Sequence, residues 1–232
     1  MAPTDPVMRL LSCDGPPGAP LPPRPPGRSY AARVVRSDGA GQGPDRPPEA
    51  FLRAVEGVRA AALRPEVHVE EIPAPQRLAP HALALSADVV VDADDVASGR
   101  LVLLHDPAGQ EAWHGTFRLV AYVRATLEPE MASDPLLPGV GWAWLTEALA
   151  ERGAPYIAAS GTVTRVASEG FGGMAADPAS AEIEIRASWT PLDPGLAPHV
   201  EAWGATLAAA AGLVPLPAGV VAMPGPRGGR RR

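Results

Sequence analysis

The chain has no lysine, no asparagine and a single cysteine among its 232 residues. All 20 basic side chains are therefore arginine, and 29 prolines and 24 glycines accompany them. This bias is typical of a GC-rich genome, so we do not interpret each arginine as selected for bidentate recognition. The lone Cys13 excludes an internal disulfide and a thiolate metal site. We expect a reducing, cytoplasmic compartment.

Long apolar runs are also missing. A membrane span needs about 18 apolar residues, and the alanine-rich run at 208–213 is far too short. The first residues contain no apolar stretch of signal-peptide length. We therefore expect no membrane partner.

The charge is unevenly distributed along the chain. Residues 47–223 carry 10 Arg against 22 Asp and Glu, a net charge of −12, whereas the two ends together carry a net charge of +6. Because an acidic surface repels phosphate backbones, the body of the protein is not expected to bind nucleic acid. The Arg-rich C-terminal tail is the segment whose charge suits a weak contact with RNA or an acidic surface.

Composition divides the chain into three parts. Residues 1–46 contain ten prolines and cannot bury enough surface to offset their ordering entropy, so we expect a disordered head. Its proline-rich run at 16–26 would also suit an aromatic groove as a polyproline ligand. Residues 47–214 are predicted to form one α+β domain. Residues 215–232 are predicted to form a disordered basic tail.

Periodicity predicts three helices and six strands in the order α-β-β-β-β-α-β-β-α. The first helix carries Phe51, Val55, Val58 and Ala62 at helical spacing. The predicted strands lie at 67–72, 83–91, 101–105, 113–127, 156–167 and 181–189, and the later helices at 133–153 and 197–211. Because strands follow strands, we expect one mainly antiparallel sheet with the helices on one face. The order is similar to that of the secretion-chaperone-like fold, which has one strand fewer before its middle helix.

The clearest predicted hairpin turns at residues 106–109, where Gly109 suits a positive φ. The register expected from this turn places His105 opposite Glu111. His105 and His114 then project to opposite faces of the sheet and cannot hold one metal ion. We therefore predict an ion pair between His105 and Glu111, and no metal site.

The return strand of this hairpin shows a strict alternation. Trp113, Phe117 and Leu119 fall on one face, which we expect to be core. Arg118 and Tyr122 fall on the other face, which we expect to be polar and open to water.

Candidate binding residues follow from these positions. Trp142 and Trp144 are two residues apart on a helix and cannot both face inward, so one of them is expected to line a pocket or a partner surface. The predicted binding residues are His105, Glu111, Trp113, Arg118 and Trp142.

Other motifs predict no chemistry. The glycine-rich run at 169–174 is interpreted as a flexible loop, because a phosphate cradle would require a helix directly after it. His199, in the first turn of the last helix, is expected to be exposed. No nucleophile motif, Walker loop or zinc-protease motif is present. We predict no catalytic residue, no cofactor and no metal ligand.

Five segments carry a resemblance to a known family. They read EEIPAPQRLAP, LLHDPAGQEAWHGTFRLVAYVRA, DPLLPGVGWAWLTEAL, SGTVTRVASEGFGGM and AEIEIRASWTP. Over roughly residues 48–192 the chain resembles an actinobacterial family known as domain of unknown function 3000. The resemblance implies no activity. Through a gene neighbourhood shared with a ribonuclease-D-like exonuclease, it implies a link to RNA metabolism by association only.

The sequence leaves three functions open. The first is a non-enzymatic binding or adaptor protein of an actinobacterial cytoplasm, with a protein partner or a second copy of itself. The alternative is a small-ligand sensor or enzyme with a pocket near the hairpin at 101–117. The third is an accessory protein of RNA metabolism.

Overall fold

The computed structural model describes residues 47–215 and confirms the predicted order of three helices and six strands. The predicted disordered head lies outside the described residues, and so does the predicted basic tail apart from residue 215. The elements are α1 (Glu49–Arg59), β1 (Val67–Ile72), β2 (His81–Val91), β3 (Asp94–Gln110), β4 (Gly115–Leu127), α2 (Leu137–Glu151), β5 (Tyr156–Ser168), β6 (Ser180–Pro191) and α3 (Ala197–Ala210). Among the described residues no helix is long and apolar enough to cross a membrane.

The six strands form one sheet in the order β1-β2-β3-β4-β6-β5. Every neighbouring pair is antiparallel, as predicted. After β4 the chain passes through α2 to the far edge, and β6 then returns between β4 and β5. Two strands, β1 and β5, therefore lie at the edges of the described sheet.

The main core lies between the helices and one face of the sheet. Alternation places Ile183 and Ile185 of β6 in this core, while Glu182 and Glu184 point away, as predicted. Trp203 of α3 is fully buried in the same core. Burying an aromatic ring of this size is among the largest single contributions to the stability of such a core.

The opposite face of the sheet differs from the prediction. It is not wholly polar, because a second apolar cluster covers its central strands. The buried members are Ala84, Val102, Leu104, Trp113, Val120 and Tyr122. Residues Ala74, Leu78 and Ala79, from the connection between β1 and β2, pack against this cluster. The connection thus shields part of the face that the alternation had assigned to water.

The predicted hairpin exists, but its register was wrong. His105 lies opposite Phe117 rather than Glu111, and pairing resumes only at Gln110 and Gly115. Gly109 does take a positive φ, of 75°, but within a bulge. The chain reverses later, through a short 3₁₀ turn at Glu111–Trp113.

This longer turn has two consequences. His114 follows it in the left-handed conformation, with φ of 56°, so the alternation of β4 does not extend back to Trp113. Trp113 is therefore buried on the opposite face from Phe117, and our assignment of both residues to one face was wrong. Among the described residues, the ion pair that we predicted between His105 and Glu111 does not form.

The helices contain two further corrections. Phe51, Val55 and Val58 of α1 are buried as predicted, but α1 ends at Arg59 and Ala62 is exposed beyond it. His199 of α3 is fully buried rather than exposed.

Candidate functional site

The five predicted binding residues do not converge on one site. Trp113 and Arg118 are linked on the far face of the sheet, whereas His105 packs on the helix face. Glu111 is exposed at the hairpin turn. Trp142 lies on α2, above β5. These five residues therefore do not line one shared pocket.

Arg118 ties three strands together. Its guanidinium is buried, with the residue 3% exposed, and it donates to Oγ of Ser188 at 2.7 Å and to Oγ1 of Thr190 at 3.2 Å on β6. It also donates to the carbonyl oxygen of Ala158 at 2.9 Å and to Oγ of Ser160 at 3.4 Å on β5. Ala158 has a φ of 51° at the point where the β5–β6 register shifts. Arg118 therefore holds a strained bulge of the edge strand in place.

Thr190 joins this network to the hairpin turn. Its hydroxyl accepts from Arg118 and donates to the backbone carbonyl oxygen of Trp113. Both Thr190 and the Trp113 ring are buried. The contact fixes the position of the turn relative to β6.

His105 belongs to an aromatic cluster on the helix face. Its ring stacks on Phe117, with 4.1 Å between ring centroids, and lies 6.0 Å from the rings of both Phe51 and His81. Its Nδ1–H donates to the carbonyl oxygen of Thr116 at 2.9 Å. Burial lowers the pKa of His105, so the neutral ring is favoured. The ring is therefore held by its stacking on Phe117 and by its hydrogen bond to Thr116.

Both tryptophans of α2 are half-buried and pack against the main core, so each is neither fully buried nor fully exposed. Trp142 lies directly over Gly161 of β5, where an added Cβ would approach the indole ring to 2.5 Å. Gly161 thus permits the close approach of α2 to the edge strand.

His199 was missed as an interacting residue. Nε1–H of the buried Trp189 donates to Nδ1 of His199 at 3.1 Å, and burial lowers the pKa of His199 to about 4. Its Nε2 atom has no hydrogen-bond partner within residues 47–215. The spacing of His199 and Trp203, four residues apart on one helix face, was the signal that could have predicted this burial.

Two clefts flank β6 and the start of β5. One, of 320 Å³, lies at the hairpin turn between residues 114–117 and 190–194. The other, of 420 Å³, lies at the N-terminal end of β5. It is lined by Leu149, Ala150, Gly153, Ala154, Pro155, Tyr156 and Leu192. In the described part of the chain, no cluster of three or more His, Cys, Asp or Glu side chains is placed to hold a metal ion.

The outer edge of β5 is open over thirteen residues, Tyr156–Ser168. The strand carries one charged side chain, Arg165, whose guanidinium donates to the carbonyl oxygen of Asp134 in the same subunit. Most of its residues are exposed. A strand of this length with one unpaired edge presents a row of backbone N–H and C=O groups to any extended chain that approaches.

The other edge, β1, is protected by charge. It carries His68, Glu70 and Glu71 in six residues, and Glu71 forms a 2.6 Å ion pair with Arg59 of α1. Charged side chains on a short edge strand are the usual device against pairing with another chain. β5 carries one charged residue, Arg165, and a bulge at Ala158, so its thirteen-residue edge is less protected than that of β1.

Large exposed apolar side chains lie at both ends of the β5 edge. Phe171 and Met174 follow its C-terminal end and are 75% and 62% exposed. Leu192, beside its N-terminal end, is 58% exposed and lines the 420 Å³ cleft. Exposed apolar groups grouped around an open edge are typical of an interaction surface.

The fold and this edge define an α+β protein with one open antiparallel sheet, unequally protected at its two edges. The model of the family described as a protein of unknown function, DUF3000, matches residues 47–221, and the chain belongs to this family. No curated protein and no solved structure matches the chain.

Proposed function

We propose that this chain is a non-enzymatic binding or adaptor protein of an actinobacterial cytoplasm, and that its binding element is the free edge of β5. The observation that carries the proposal is the open strand Tyr156–Ser168 with exposed apolar side chains at both ends. Proteins that recognise an extended segment do so by adding it to such an edge, where backbone hydrogen bonds supply affinity.

The contrast between the two edges supports this function. β1 is short and charged, and it forms an ion pair with α1. β5 is long and nearly uncharged, and Arg118 holds it to the sheet through a hydrogen bond to its backbone. An open edge that served no purpose would be a liability for aggregation, and natural sheets blunt such edges. A long edge with one charged side chain, held to the sheet by Arg118, is what a binding strand requires.

A capture experiment from the native host tests the proposal. The full chain and two variants, Thr162→Glu at the centre of β5 and Val69→Glu on β1, are immobilised at equal density. We expect the wild type and Val69→Glu to retain the same partner, and Thr162→Glu to retain at least tenfold less of it. Equal recovery by all three proteins would argue that β5 is not the binding element.

A small-ligand sensor or enzyme is the second candidate. It is favoured by the 320 Å³ cleft at the hairpin turn, because Thr190, which lines it, is hydrogen-bonded to the buried Arg118. A ligand at 100 times its dissociation constant should stabilise the protein by about 2.7 kcal/mol. A thermal-shift screen against metabolites and metal ions therefore tests it, and an unchanged midpoint throughout would count against it.

An RNA-metabolism accessory role has the least support. The net charge of −12 over residues 47–223 opposes a phosphate backbone, which leaves only the Arg-rich tail for such a contact. Binding of a fluorescent single-stranded RNA at low salt, compared between the full chain and one lacking residues 224–232, tests this role.

A further inference from the structure

We infer that the occupant of the β5 edge is a second copy of this chain, whose β5 pairs antiparallel with the first across a two-fold axis. The inference rests on the proposed function and names its partner. The two sheets would join into one sheet of twelve strands. A two-fold interface is self-complementary, so each feature on one copy must meet its counterpart on the other.

The charge of β5 permits this pairing. A register centred on Thr162 pairs residues 160–164, which lie beyond the bulge at Ala158, with the same residues of the second copy. Arg165 is the one charged side chain of β5 and lies away from the axis, so the two arginines do not oppose each other. Residues 47–223 carry a net charge of −12, so two copies repel each other on average. Pairing through the nearly uncharged β5 edge adds little to this repulsion.

The two ends of β5 are complementary to each other. Antiparallel pairing places the C-terminal end of one β5, which Phe171 and Met174 follow, beside the N-terminal end of the other β5, where the 420 Å³ cleft lies. Gly153 and Ala150 both line the 420 Å³ cleft. Phe171 and Met174 are the two most exposed apolar side chains of the β5–β6 connection.

A second copy therefore explains both features with one symmetry operation. An exposed apolar knob lies at one end of the strand, and an apolar cleft lies at the other. Antiparallel pairing brings Phe171 and Met174 of each copy to the cleft of the other copy, so this contact forms twice in each dimer. A partner with an unrelated sequence would have to match both ends independently.

The mass of the full chain in solution tests the inference, by sedimentation velocity over a wide concentration range. The wild type is expected at twice the chain mass of 24.0 kDa. Thr162→Glu should raise the dimer dissociation constant at least tenfold, because two carboxylates then face each other at the axis. Within one copy the new carboxylate lies opposite Arg186, so the monomer fold tolerates it.

Two further variants complete the series. Phe171→Ser should also raise the dissociation constant at least tenfold, and its exposure means that the monomer does not depend on the ring. Val69→Glu, at the charged β1 edge, is the matched control and should leave the dimer unchanged. Circular dichroism of each variant checks that the fold is intact.

Cross-linking tests the register itself. In a Cys13→Ser background, Thr162→Cys places two thiols opposite each other at the axis, at a Cα separation that suits a disulfide. Mild oxidation should convert most of this variant to a covalent dimer, whereas Val69→Cys in the same background should stay monomeric under denaturing conditions. Equal cross-linking of both variants would overturn the register.

Two results would overturn the inference. One is a wild type that stays monomeric at the highest concentration. The other is a dimer whose dissociation constant responds to neither Thr162→Glu nor Phe171→Ser. A monomeric wild type that still captures a host protein, lost in Thr162→Glu, would remove the second copy but keep the proposed function. A monomer that captures nothing would remove both.

Discussion

The guanidinium of Arg118 donates a 2.7 Å hydrogen bond to Oγ of Ser188, a fully buried residue on the neighbouring strand. This contact is shorter than those that Arg118 makes to Ala158, Ser160 and Thr190. A buried cation surrounded by hydroxyl and carbonyl oxygens stabilises a specific arrangement of strands, because removing it leaves those oxygens unsatisfied.

Replacing Arg118 should destabilise the fold and loosen the edge strand. We expect Arg118→Met to lower the free energy of unfolding by about 2–4 kcal/mol, since it leaves buried hydroxyl groups and the Ala158 carbonyl without their donor. Urea unfolding measures this loss, and amide hydrogen exchange should show faster exchange in β5. As a control, Arg53→Ala removes an exposed 3.8 Å ion pair with Glu49 and should cost under about 0.5 kcal/mol. Similar costs for both variants would contradict the anchoring role.

His199 should make stability fall in mild acid. Its pKa is lowered from 6.5 to about 4 in the folded protein, so protonation favours the unfolded chain. Its contribution is complete above about pH 6.5 and is lost as the pH falls toward 4, which corresponds to about 3 kcal/mol. His199→Gln keeps an acceptor for the Trp189 N–H and should flatten the pH dependence in this window.

Urea titrations at several pH values between 7.5 and 4.5 measure this effect. His105, whose pKa is also lowered by burial, should leave a smaller residual slope in the same direction. A slope that is the same in His199→Gln and the wild type would show that His199 does not titrate on unfolding.

Local pattern was enough to predict the fold class. In β6, alternation of Ile183 and Ile185 with Glu182 and Glu184 specifies a strand and its inner face without any tertiary information. In α3, Gly212 ends the helix with a φ of 73°, as glycine after a helix usually does. Elements whose period and punctuation lie within one segment were therefore predicted correctly.

The candidate site depended on tertiary relationships that no single segment contains. The register of the hairpin was wrong because the reversal uses left-handed His114, a residue type with no strong preference for a turn. The second apolar cluster was missed because a distant connection covers it. Of the predicted residues only Trp113 and Arg118 are joined, through Thr190, which sequence reasoning had not singled out.

The turn between β2 and β3 offers a stabilising substitution. Asp92 and Ala93 both have positive φ, of 51° and 77°, a combination that suits a type I′ hairpin and favours Asp-Gly. We expect Ala93→Gly to raise the free energy of unfolding by about 0.5–1 kcal/mol, because it relieves the left-handed strain of alanine. Gly109→Ala, where φ is 75°, should have the opposite sign. Thermal unfolding of the two variants checks both signs, and a loss of stability in Ala93→Gly would contradict the strain argument.

The close approach of α3 to the sheet should make Gly99 intolerant of any side chain. A Cβ at Gly99 of β3 would lie 2.8 Å from Cδ2 of Leu207 and 2.9 Å from the backbone oxygen of Tyr122. The Leu207 side chain is fully buried, so it has little space into which it can move. Overpacking of this kind costs about 1–3 kcal/mol, and we expect that loss for Gly99→Ala.

Gly139 provides the matched control for this prediction. It lies in the first turn of α2 with no atom within 4 Å of an added Cβ. Gly139→Ala should therefore stabilise the protein by about 0.5–1 kcal/mol, through the higher helix propensity of alanine. Denaturant unfolding of both glycine variants should give shifts of opposite sign. If Gly99→Ala were neutral, α3 would have to lie farther from β3 in solution than this packing requires, and the Trp203 indole above the same glycine would become more accessible to a fluorescence quencher.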